Sequence, residues 1–362
     1  MNIRRSFWAV MMLGIALNSL AQTNIIRYDA NKSNDFGIVY NLPKTQIIVE
    51  AIVDREIYTP GILSDYALKY LNQRVKLEPS ESYRLSGLRV RSAGIPDKEH
   101  QYVIEFRPGT VAPYVTLTTA GIINGINSKA KPQEETAIEG LGKRSGTRRQ
   151  QPSLPQEYNM AGSVSKQAEI AAQYLFHVRE SSINIVTGDV DQMPKDGQAM
   201  KIVMDRLKQE ELATLALFTG DTIRERSVYR VTIDPAAPIQ NRIIFRFSEQ
   251  LGALDADNLA GAPVRLDLSI IDKAPELSPK EQEKYLRNLK GIVYNMPGIG
   301  LVKIDYEGKT LFKGQVHVTQ WGTKQCLAPK MFKDRNDSSP SILFDINTGG
   351  IVSIKGPDGN NL

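Results

Sequence analysis

Thr45-Gln46-Ile47-Ile48-Val49-Glu50-Ala51-Ile52-Val53-Asp54-Arg55 places Ile47, Val49, Ala51 and Val53 at period two. That is the spacing of a strand with one face on a core. Thr59-Pro60-Gly61 follows as a cap and a preset first helical residue. It opens a short helix in which Leu63, Tyr66, Ala67 and Tyr70 recur at helical spacing and cover a sheet. Further strand-like runs lie at 85–90, 101–106 and 114–118, separated by turn residues at 94–97 and at Pro108-Gly109.

Working outward, the apolar periodicity vanishes between residues 128 and 162, where Gly, Pro, Gln, Ser and charged residues dominate, so this stretch reads as a flexible linker. Helical spacing returns at Ala168, Ala171, Ala172, Leu175 and Val178, and again at Val203, Leu207, Glu211, Leu215 and Phe218. Gly188, Pro194 and Gly197 separate the two runs and let them pack as an antiparallel pair. Strand patterns resume at 227–233, 242–247 and 264–271. Ser278-Pro279-Lys280-Glu281 then has the form of a capping box before a short exposed helix. The chain closes with strands at 301–306, 310–319, 341–344 and 351–354.

One stretch occurs twice. Gly37-Ile38-Val39-Tyr40-Asn41-Leu42-Pro43 returns as Gly291-Ile292-Val293-Tyr294-Asn295-Met296-Pro297, matching at six of seven positions. Either each copy opens the first strand of a related β-rich unit, or the echo is a coincidence of strand and turn residues. The expected fold is α+β and mostly β, with two β-rich sandwich-like units joined by a central antiparallel helical pair. By residue, it runs as a signal peptide (1–21), an amino-terminal β-rich unit (22–127), the linker (128–162) and a helical hairpin (163–220). Strands packing with the preceding units (221–275) and a carboxy-terminal β-rich unit (276–362) complete it.

The amino terminus sets the compartment. Arg4 and Arg5 precede an apolar run from Phe7 to Leu17, and Ser19 and Ala21 fit a peptidase pocket, so cleavage near Ala21 is expected. The run is shorter than the roughly 20 apolar residues of a membrane span, and no later segment comes close, so no transmembrane helix is expected after cleavage. With 41% hydrophobic and 23% charged residues over 362 positions, the composition is that of a folded chain, long enough for two or three domains. The formal charge of +5 drops to +3 once the two arginines are removed. This is a weak basic bias, and export argues against a nucleic-acid partner, which leaves an envelope protein or a glycan.

Chemistry is harder to find. The single cysteine, Cys326, cannot form an internal disulfide and reads as a small buried hydrophobe, and His100, His177 and His317 are scattered. No nucleophile elbow, zinc-binding His pair or paired cysteine motif is present. Residues 140–146 have the wrong spacing for a phosphate loop. The run starting Asp255-Ala256-Asp257-Asn258 has no closing glutamate for a calcium loop and reads as a polar turn. Asp189 and Asp191 could share a cation or a proton but suit an ordinary interhelical turn. His177 and Glu180 could form an acid–base pair, while His177 more simply packs at a helix boundary. Lys143, Arg144, Arg148 and Arg149 form a basic cluster on a solvated loop. Tyr66, Tyr70 and Trp321 could stack on sugars, with core packing as the simpler role.

Tyr40-Asn41-Leu42-Pro43-Lys44-Thr45, Tyr58-Thr59-Pro60-Gly61, Gly94-Ile95-Pro96-Asp97, Met193-Pro194-Lys195-Asp196-Gly197, Phe245-Arg246-Phe247-Ser248 and the 255–263 and 345–350 segments together resemble the domain-of-unknown-function family forty-eight thirty-one. The resemblance covers nearly the whole chain after the leader. The linker around 143–151 and Trp321, where the resemblance expects Phe, depart from it. It implies an exported Bacteroidota protein of the periplasm or outer membrane and transfers no catalytic residue. No catalytic, cofactor-binding or metal residue is therefore assigned. The expected function is a noncatalytic binding or scaffold protein. The alternatives are an envelope hydrolase using carboxylates from distant segments and a carbohydrate-binding module.

Overall fold

The computed structural model describes residues 24–27, 37–105, 114–128, 138, 141–142, 144–145, 151–189, 196–289, 291–328, 340–356 and 360. The expected signal peptide lies outside them. The chain is mostly β, in several antiparallel sheets. Its strands are β1 (Asn24–Arg27), β2 (Gly37–Thr59), β3 (Ser80–Glu105), β4 (Val115–Leu117), β5 (Ile123–Ile126), β6 (Arg144–Ser145), β7 (Asp221–Ile233), β8 (Ile239–Ser248), β9 (Gly252–Leu254), β10 (Ala262–Asp272), β11 (Ile292–Tyr306), β12 (Lys309–Leu327), β13 (Ser341–Phe344) and β14 (Ile351–Lys355). Its helices are α1 (Ala67–Leu71), α2 (Gln156–Met160), α3 (Val164–Thr187), α4 (Gly197–Thr219) and α5 (Pro279–Asn288).

Three sheets organise the strands, with orders β1-β3-β2-β7-β6, β12-β11-β10-β8-β9 and β14-β13-β5-β4. Ile47, Val49, Ala51 and Val53 are buried as their alternation predicts, and they share one core with Phe245, Phe247, Leu266, Val302, Ile304 and Trp321 of the second sheet. Residues 221–275 divide: β7 pairs with β2, whereas β8 to β10 hydrogen-bond into the β11–β12 sheet and meet the first sheet through this core.

Three local differences from the sequence reading have physical causes. The helix after Thr59 begins only at a 3-10 turn, Ser64–Tyr66, because Gly61 lies against the end of α4. A Cβ at Gly61 would sit 2.2 Å from the Leu217 carbonyl oxygen. Within the expected linker, α2 forms, and the amide and hydroxyl of Ser153 both donate to the Glu210 carboxylate of α4 at 2.9 Å. His177 lies mid-helix and exposed rather than at a boundary, since α3 runs on to Gly188, whose left-handed φ of 80° provides the stop. The capping box at Ser278 and Glu281 forms as its residues predict.

The two copies of the repeated heptad occupy equivalent places. One opens β2 and the other leads into β11, and each strand pairs antiparallel with the next long strand. Both ladders slip by the same amount near the end of the heptad, one position apart. Asn41 faces Gln101 and Pro43 faces Pro96, while Met296 faces Thr323 and Gly298 faces Val318, a step of two residues against five in each case. Each hairpin is followed by a small one, β4–β5 or β13–β14, whose turn glycine, Gly121 or Gly349, has φ of 73° or 69°. The two hairpins thus share these irregularities. The heptads are preceded by other strands, however, so neither opens the first strand of its sheet. In the third sheet the small hairpins join head to tail, through β5 of the first and β13 of the second.

Candidate functional site

The strongest concentration of charge is on the face of β2 turned away from the core. Alternation that sends Val49 and Val53 inward must send Glu50, Asp54 and Glu56 outward. Register then sets arginines on both flanks, with Arg89 and Arg230 opposite Glu50, Arg84 and Arg226 opposite Asp54, and Arg224 opposite Glu56. Arg91 completes the set beside Glu50. Six guanidinium groups thus surround three carboxylates along the seven residues from Glu50 to Glu56, six steps or about 20 Å at a strand rise of 3.3 Å.

The ladder is built rather than incidental. Glu50 is fully buried and accepts from Arg89 Nε at 2.7 Å and Arg230 Nη2 at 2.8 Å, with Arg91 Nη2 at 3.7 Å. Burial alone would raise its pKa, but these bonds and charges outweigh burial and hold it below the usual value. Asp54 accepts from Arg226 Nε at 2.7 Å, from the Ser86 hydroxyl at 2.5 Å and from Arg84 Nη2 at 3.4 Å. Ser86 reaches it because the β2–β3 register shifts between Ile52 and Val53. The Arg226 bond, against the cost of burial, brings Asp54 down to about 2. The outer arginines remain open to solvent, Arg84 at 80%, Arg224 at 65% and Arg230 at 55%. With six cations over three anions, the face carries a net positive charge and a linear array of donors suited to carboxylates or phosphates.

The sequence reading passed over this ladder because it followed the apolar side of β2. The signal was nonetheless there, as charges at period two in Arg89-Val90-Arg91, Arg224-Glu225-Arg226 and Glu50 through Glu56. The residues that it did single out are not brought together. Asp189 is exposed after the end of α3 and Asp191 lies outside the described residues. His177 and Glu180 are exposed on α3, and His317 is exposed on β12. His100 Nδ1 lies 2.6 Å from Asp97 Oδ2. Arg144 sits in β6 opposite Glu225, and Lys143, Arg148 and Arg149 are outside the described residues, as are Gly140 and Gly146 of the phosphate-loop near miss. Asp255 forms a polar turn with Asn258 and accepts from the Tyr229 hydroxyl at 2.6 Å.

Trp321 is buried in the main core at 2% exposure, and Tyr66 and Tyr70 pack against a helical core, so none of the three offers a flat sugar platform. Cys326 is half-buried against the second core cluster. Among the described residues no group of three or more His, Cys, Asp or Glu side chains is placed to hold a metal ion, and no helix is long and apolar enough to cross a membrane. A groove of about 390 Å³ lies between Tyr294, Met296, Pro297, His317, Asp345 and Ile351. A second groove, of about 580 Å³, runs beside Asn241 and Asp267. Each carries one carboxylate, not the pair that glycoside hydrolysis uses.

A family model described as Domain of unknown function (DUF4831) matches residues 36–352. No curated protein and no solved structure matches the chain.

Proposed function

We propose a role for this chain, which belongs to the DUF4831 family, from its surface chemistry: it is a noncatalytic binding or scaffold protein of the bacterial envelope that engages an anionic partner. The observation that carries this reading is the arginine–carboxylate ladder on β2, β3 and β7. Its inner carboxylates fix the guanidinium groups in place, so a partner meets donors that are already ordered and loses less side-chain entropy on binding. The Arg4-Arg5 pair before an apolar run supports export, and the absence of a complete catalytic motif in the sequence favours binding over turnover.

The test is retention of the tagged protein on gently isolated envelopes, compared with an Arg84→Gln, Arg224→Gln variant. Both side chains are largely exposed and neither bonds to the buried Glu50, so the variant should keep its fold, which a thermal melt checks. Retention that weakens with added salt and is lost in the variant supports the reading. Equal retention of both proteins would refute a role for this face, and turnover of a glycan or peptide by the purified protein would refute the noncatalytic assignment.

A further inference from the structure

The two repeated units use opposite faces of the same heptad where they meet. In the first, Tyr40 and Leu42 are buried and Val39 is 43% exposed; in the second, Val293 and Asn295 are buried, as is Ile292 at the start of the strand, while Met296 is 45% exposed. The front of the first unit therefore packs on the back of the second. Tyr40 Oη donates to the Val293 carbonyl at 3.2 Å and accepts from its amide at 2.9 Å, and the Pro43 carbonyl accepts from Asn295 Nδ2 at 2.9 Å. The turn of the second unit completes the contact: the Gly94 amide donates to Asn347 Oδ1 at 3.3 Å, and a Cβ at Gly349 would lie 2.6 Å from Pro43 Cδ.

A contact of front on back is heterologous, and it leaves one unused surface of each kind. The positions equivalent to Tyr40, Leu42 and Pro43 are Tyr294, Met296 and Pro297, and the position equivalent to Gly94 is His317, opposite Ile299 as Gly94 is opposite Thr45. All four line the open groove of about 390 Å³, together with Ile351, whose counterpart Ile123 is fully buried in the first unit. Val352 at its rim is 59% exposed. The first unit presents Val39, the counterpart of the buried Val293, and an exposed turn at Thr119 and Ala120, the counterparts of Asn347 and Thr348. In the third sheet β14 and β4 are the outer strands, just as a head-to-tail series would leave them.

We infer that the groove is a socket for a second copy of this chain, whose Val39 face and Thr118–Gly121 turn enter it as Val293 and the Asn347–Gly349 turn enter the first unit. β4 of the incoming copy then lies beside β14 of the receiving one and extends the sheet. His317 in place of Gly94 holds the incoming turn further out than in the internal contact, so the association is weaker than the internal packing, with a Kd on the order of micromolar. Because socket and plug are different surfaces, the assembly closes as a ring or continues as a filament. This inference is independent of the arginine ladder, none of whose residues it uses.

Sedimentation velocity of the purified chain over a concentration series tests it. The expected result is a mass that grows with concentration, a growth that Met296→Asp in the socket and Val39→Asp in the plug each shift by about tenfold or more in concentration. An equal mixture of the two variants should then restore a dimer, because the intact socket of one meets the intact plug of the other. Circular dichroism verifies that each variant is folded, and Val352→Asp and Thr119→Arg substitute for either that is not. A chain that stays monomeric at every concentration overturns the inference, as does growth insensitive to both substitutions. Failure of the mixture to restore association would mean a self-complementary interface and overturns it equally.

Discussion

Asn41 and Asn295 make the same pair of bonds in the two halves of the chain. The Asn41 amide donates to the Gly121 carbonyl at 2.9 Å and its Nδ2 to Ala120; the Asn295 amide donates to Gly349 at 3.1 Å and its Nδ2 to Thr348. Each clip ties a long hairpin to the turn of the small hairpin that follows. The two differ in burial, since Asn295 is 4% exposed and also donates to the Pro43 carbonyl across the contact between units. Asn295→Ala strands two buried acceptors and should cost about 3 kcal/mol, whereas Asn41→Ala, at a more open site, should cost about 1 kcal/mol. Urea unfolding midpoints of the two variants measure the difference.

Glu50 organises the arginine ladder from below. Replacing it by Gln keeps the shape and removes the anion under three guanidinium groups, a buried partner whose loss should destabilise by about 3 kcal/mol. Glu56→Gln removes an exposed partner of Arg224 and should cost less than about 1 kcal/mol. Near-equal urea midpoints for the two would mean that Glu50 does not carry the ladder.

Much of this architecture is written in local pattern. The alternation at Ile47 to Val53, the turn residues and the capping box at Ser278 each act within a few residues, so the sequence declares them. The ladder depends on Arg230 meeting Glu50 across 180 positions, and no local pattern carries that register. The heptad echo was visible, but its consequence was not. Ile38, Tyr40 and Leu42 on one face and Val39 on the other are all apolar, so alternation cannot choose which face is buried. Only the packed structure shows that Val39 is exposed where its counterpart Val293 is buried, and that Leu42 is buried where its counterpart Met296 is exposed.

Asp54 ties stability to acid pH. Its carboxyl is held down at about 2 by the Arg226 bond against a usual value of 3.8, so the native state favours the ionised form. The stabilisation is present above the usual value and is lost as pH falls from about 4 through about 2, amounting to roughly 2 kcal/mol. The Asp54→Asn protein should be less stable at neutral pH and should lose less than the parent over that window. Parallel pH profiles for the two proteins, measured by chemical denaturation, would contradict this linkage.

Gly300 and Trp321 fit each other in the main core. A Cβ at Gly300 would lie 2.8 Å from Trp321 Cζ3 and 3.0 Å from Leu268 Cδ1, and both neighbours are packed on their far sides. Gly300→Ala must therefore displace the indole, at a cost of about 1–3 kcal/mol. Trp321 stands where the family resemblance expects Phe, whose smaller ring would not reach as far. In a Trp321→Phe background, then, Gly300→Ala should cost clearly less than in the parent, giving a coupling of about 1 kcal/mol in a double-mutant cycle. Additive effects would show that the glycine is there for the backbone rather than for the tryptophan. Its register partner Ile270 lies just before the irregularity in the β10–β11 ladder, so the cycle separates two physical reasons for the same residue.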